Sequence, residues 1–173
     1  MSVGTMVTIV LLMIVLVLGI FFIQKIFSGG SDAIDSINSQ VQSQIQKLFS
    51  QEGTKVAVYP TSRDITIKKG DTPKGFAFSV KNLDVNSASF SYSTAATDVS
   101  QCGSSFTIDE ANSYLLGGSG NFDLGPGNQL DLPVLIRLEV PSTAPPCTII
   151  YTVNIKEGSD SYATIPNIAV TIK

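Results

Sequence analysis

Ile149-Ile150-Tyr151-Thr152-Val153-Asn154-Ile155 places an apolar side chain at every odd-numbered position and ends in polar alternates. A two-residue period is the pattern of a strand with one face buried, because successive side chains point to opposite sides of a sheet. The same period runs through Phe76-Ala77-Phe78-Ser79-Val80. Working outward, the pattern predicts strands over 56–59, 64–68, 75–81, 88–93, 104–108, 121–124, 130–140, 148–156 and 163–172, and a short helical turn over 109–115. Turn signals separate them: Lys69-Gly70-Asp71, Gly117-Gly118-Ser119-Gly120, Gly125-Pro126-Gly127-Asn128 and Glu157-Gly158-Ser159-Asp160. Many short strands without a long helix between them predict an antiparallel β-sandwich over 54–173.

Residues 1–50 read differently. The first 24 carry no charge, and 6–23 is an almost unbroken run of Val, Leu, Ile, Met and Phe. As a helix this front end spans about 27 to 36 Å at 1.5 Å per residue, enough to cross a bilayer core. After Gly29-Gly30 a second helical pattern fills 31–49, with Ile34, Ile37, Val41, Ile45 and Leu48 at spacings of three and four among Ser, Gln and Asp. Ser31 or Asp32 suits its start and Lys47 its end. The glycine pair either separates two helices or bends one. The apolar stripe packs either on the chain's own domain or on the same helix of neighbouring subunits. The predicted class is therefore α+β: a long N-terminal hydrophobic and amphipathic helix, then an all-β antiparallel sandwich.

A formal net charge of −3, with 11 basic and 14 acidic residues scattered along 173, gives no footprint for a nucleic acid. The chain has no histidine, and its two cysteines, Cys102 and Cys147, cannot alone make an ordinary four-ligand zinc site. Both lie among turn residues and lack redox-motif spacing, so a disulfide is expected, with two buried free thiols as the alternative. No nucleophile-base signature is present and the carboxylates are dispersed, so neither an enzyme nor a bound cofactor or metal is expected. Asp109-Glu110 reads as the first turn of a helix after Thr107 rather than as an acid-base pair. Gly117-Gly118-Ser119-Gly120 lacks the Lys-Ser/Thr of a phosphate loop and reads as a turn. Asn121, Asp123, Asn128 and Asp131 match no calcium-loop template.

Two stretches carry a resemblance. The order Ile67-Lys68-Lys69-Gly70, then 76–82 ending in Val80-Lys81-Asn82, then Leu124-Gly125-Pro126-Gly127, then Val140-Pro141-Ser142-Thr143-Ala144-Pro145-Pro146-Cys147 resembles immunoglobulin-like domains of archaeal and bacterial surface proteins. It covers about 100 residues and its motifs are generic. The front end, an apolar helix continued by an amphipathic segment and then a β-domain, is similar to archaeal type IV pilins and archaellins. Val3-Gly4-Thr5-Met6-Val7 looks like the start of archaellins, and the run has no acidic residue of the kind bacterial pilins carry.

The resemblance implies a structural subunit of an extracellular pilus-like or archaellum filament, serving adhesion or motility. It implies partners too: copies of itself in a helical homopolymer, a membrane before assembly, a leader peptidase and an assembly machinery. Val7, Val10, Met13, Ile14, Val17 and Ile20 would pack the filament core. The alternative is a membrane-anchored surface protein whose sandwich binds a ligand. Lys25, on the C-terminal side of the apolar run, would by itself keep the sandwich in the cytoplasm. A short basic leader ahead of Met1 is therefore expected, which would place the sandwich outside.

Overall fold

The computed structural model describes residues 3–27, 39–50 and 53–173. The chain divides into two compact units, Met1–Ser31 and Asp32–Lys173. The second unit holds two sheets. Strands β1 (Val56–Tyr59), β3 (Lys74–Val80), β7 (Val134–Leu138) and β5 (Leu115–Leu116) form sheet A in the order β1-β3-β7-β5. Strands β2 (Asp64–Ile67), β9 (Asp160–Ile172), β8 (Thr148–Glu157), β4 (Ala88–Asp98) and β6 (Ser119–Leu124) form sheet B in the order β2-β9-β8-β4-β6. The alternation in the sequence becomes the core directly. Phe76, Phe78 and Val80 of β3 and Ile136 and Leu138 of β7 meet Ile149, Tyr151, Val153 and Ile155 of β8, all fully buried in one apolar cluster. Phe78 of sheet A and Tyr92 of sheet B touch edge to face at 5.2 Å.

Loops are tied to this core by a few buried groups. Asn82, fully buried at the end of β3, donates from Nδ2 to the carbonyls of Asn86 (2.8 Å) and of Leu124 and Gly125 (3.2 Å each). Its Oδ1 accepts from the Asp84 N–H at 2.9 Å. One side chain thus fixes two loops whose backbone polar groups would otherwise go unpaired. Tyr151 donates its buried hydroxyl to the Ala111 carbonyl at 2.7 Å and pins α3 (Ile108–Ser113) over the sandwich. Burial pushes the Tyr151 phenol well above its ordinary range. Cys102 and Cys147 form a disulfide with a Cα separation of 4.9 Å. It joins a short 3-10 turn, Ser100–Cys102, to the residue preceding β8. The Ser100 N–H donates to Asp98 at 2.8 Å and holds that carboxyl below its ordinary pKa.

Helix α2 (Ser39–Phe49) belongs to this unit. Val41, Ile45 and Phe49 are buried against Ala57 of β1 and Ala77 of β3, with Leu48, Tyr59 and Leu135 partly buried beside them. This is the outer face of sheet A, and its cluster is separate from the core between the sheets. Helical segments are marginal in water by themselves, and the sheet contact supports this one.

Helix α1 (Val3–Phe27) forms the first unit, with its side chains described over 4–8 and 10–18. Among the described residues no helix is long and apolar enough to cross a membrane. The expected α+β class is therefore corrected: the described chain is mostly β, and its N-terminal helical part is not the long apolar helix expected. Nor are the sheets wholly antiparallel, because β2 pairs with β9 in parallel, Asp64 opposite Ala169 through Ile67 opposite Ile172. The Gly29-Gly30 junction lies outside the described residues.

Other differences have local causes. The strand expected over 104–108 is absent: the Thr107 hydroxyl accepts from the Glu110 N–H at 3.2 Å and caps α3, so the chain turns into a helix there. The strand expected over 130–140 shrinks to β7, since Pro133 has no N–H to give to a ladder. Ser119 and Gly120, read as part of a turn, are the start of β6. Gly120 lies opposite Tyr92, whose ring covers it and whose hydroxyl donates to the Gly117 carbonyl at 3.2 Å.

Gly75 sets how closely β3 approaches β7. A Cβ there would stand 1.8 Å from the Ile136 carbonyl oxygen, which is backbone and cannot swing away. Gly75→Ala is predicted to destabilise the sandwich by about 3 kcal/mol or more, read as a lowered midpoint in urea. An unchanged midpoint would contradict this register. Closing a loop between cysteines 45 residues apart restricts the unfolded chain. Reduction of the disulfide is predicted to cost about 4 kcal/mol in the loop-entropy account. Equal stability with and without reductant would contradict that.

Candidate interaction surfaces

Unit by unit, the described chain offers one surface out of keeping with water. On α1 the large apolar side chains at 6, 7 and 10–18 are each between 50% and 68% exposed, on every side of the helix. The Thr8 hydroxyl, a polar group within this stretch, donates back to the Gly4 carbonyl at 2.8 Å. Its hydrogen bond is thus satisfied within the helix. A soluble surface helix would show an apolar stripe and a polar face; α1 has no polar face over 10–18. Met13, Ile14, Val17 and Leu18 line a shallow hollow with a wholly apolar lining along one side.

Of the residues expected to pack a filament core, Val7, Val10, Met13, Ile14 and Val17 lie exposed on α1. Ile20 lies outside the described side chains. Of the second stripe, Val41 and Ile45 are buried on sheet A and Leu48 is partly buried beside them, so α2 spends this face on its own domain. Ile34 and Ile37 lie outside the described residues. Phe49, which the stripe did not include, completes the buried set. Its position four residues after Ile45 was the available signal.

On the second unit, among the described residues, the large exposed apolar side chains are Leu83, Val85, Ile108 and Leu132. An open hollow of about 500 Å³ is lined by Lys81, Asp123, Asn128, Gln129 and Asp131 among others. Three of the four oxygen-bearing residues noted in the sequence thus line one hollow, while Asn121 does not. Asp123 accepts a hydrogen bond from Ser89, and among the described residues no group of three or more His, Cys, Asp or Glu is placed to hold a metal ion. Asp109 and Glu110 sit in the first turn of α3, where the helix dipole favours negative charge. Asp71 is held below the usual carboxylate range by its hydrogen bond to Lys74 at 2.9 Å, an exposed pair of little consequence for stability. The outer face of sheet B carries Ser89, Ser91 and Ser93 of β4, with Asn121 of β6 opposite Ser91 and Asn154 of β8 opposite Ser93. It is an ordinary solvated face. The sequence matches no protein-family model, and no curated protein matches it.

Proposed function

We propose that the chain is a structural subunit of an extracellular archaeal type IV pilus-like or archaellum filament, built by packing α1 against copies of itself. The observation that carries this reading is the exposure of apolar side chains all round α1. Each would lose on the order of 1.5–3 kcal/mol of favourable burial by staying in water, so the helix demands apolar surroundings. The second unit has committed most of its large apolar side chains to the core between its sheets and to the α2 contact. Copies of α1 can supply the missing surface. A head-to-tail contact that does not close on itself produces a helical polymer. Lipid would cover the same surface before assembly.

The Cys102–Cys147 disulfide supports an extracellular site, since such bonds persist in oxidising compartments. The front-end pattern Val3-Gly4-Thr5-Met6-Val7, similar to archaellins, supports the filament class within that setting.

A charge within the apolar stretch should block packing while sparing the sheets. Val17→Asp or Ile14→Lys in the full chain is predicted to abolish filaments seen by electron microscopy. The disulfide and the β-sheet circular dichroism should stay intact. Filaments of normal number and length from either variant would overturn the proposal.

A further inference from the structure

Helix α2 sits on sheet A under an unusual set of conditions. Its buried side chains, Val41, Ile45 and Phe49, form a cluster with Ala57 and Ala77 that shares no residue with the core between the sheets. Losing α2 would therefore leave every residue of the main core in place. By strand alternation Ser79 shares the face of Ala77, and it lies directly opposite Ala57 in the β1–β3 ladder.

Ser79 is 1% exposed, and among the described residues its hydroxyl has no hydrogen-bond partner. A buried hydroxyl left unpaired opposes docking and is relieved as soon as water reaches it. Isolated helical segments are marginal in water, so undocking and unwinding of 39–49 go together.

We infer that α2 is a strap that releases from sheet A as one unit while both sheets stay folded, lengthening the chain between residues 39 and 50. Docked, those eleven helical residues of α2 span about 16 Å; released and extended they reach about 36 Å. Release needs no assembly of copies and holds whether or not α1 forms a filament.

Native-state hydrogen exchange of the full-length chain tests this. Amides of 43–49 should exchange about 100-fold faster than those of β8, and with weaker dependence on added denaturant, as a sub-global opening does. Ser79→Ala should slow the exchange of 43–49 by about tenfold, because the orphaned hydroxyl no longer favours release. Ile45→Asp should leave 43–49 unprotected while β3 and β8 keep their protection. Equal rates and equal denaturant dependence for α2 and β8, or loss of protection in the sheets of Ile45→Asp, would overturn the strap.

Discussion

The burial of alternate side chains on β8 is the interaction on which the rest of the sandwich depends. Ile149, Tyr151, Val153 and Ile155 all point inward with no exposed surface, and β8 pairs with β9 on one side and β4 on the other. Shifting the strand by one residue would send all four into water and bring Thr152 and Asn154 into the core. Register is therefore fixed at β8 and passed to its neighbours. Tyr151 adds a polar constraint: its hydroxyl needs the Ala111 carbonyl, which places α3, and α3 in turn supplies Asn112 to the Ala96 N–H of β4 at 2.7 Å.

Sheet A obeys a different rule because both of its faces are covered over β3. Phe76, Phe78 and Val80 face sheet B, while Ala77 packs against α2 and Ser79 shares its face. Large residues on the inner face fill the sandwich, and small ones on the outer face let a helix approach. The glycine at 75 extends that economy of volume to the ladder itself, where the Ile136 carbonyl occupies the space a side chain would need. Among the described residues the Ser79 hydroxyl is buried without a hydrogen-bond partner, and it is the weak point of this layer.

Most of the β elements were legible because half-buried strands announce themselves by period. The turn at Gly125-Pro126-Gly127-Asn128 and the disulfide were legible for equally local reasons. The parallel pairing of β2 with β9 was not, since nothing in Asp64–Ile67 distinguishes a parallel neighbour from an antiparallel one. The failure at 104–108 has the same origin: a hydroxyl cap at Thr107 outweighs the propensity of Phe106 and Ile108 for extended backbone. On α2 the heptad-like stripe was visible, but a stripe says only that a face is buried and not against what. Ala57 and Ala77 supply that answer, and they could not be paired with Val41 and Ile45 before the sheet existed. On α1 the unbroken apolar run was plain, yet among the described residues no helix is long and apolar enough to cross a membrane.

What the chain does turns on what covers α1. The sandwich explains its own stability without that helix, and the helix has no account of itself without neighbours. Sedimentation velocity of the full-length protein, transferred out of detergent into aqueous buffer, tests this most directly. The account predicts long polymers and no stable species at the 18.4 kDa mass of one chain. A persistent, soluble 18.4 kDa monomer with its disulfide intact would contradict it.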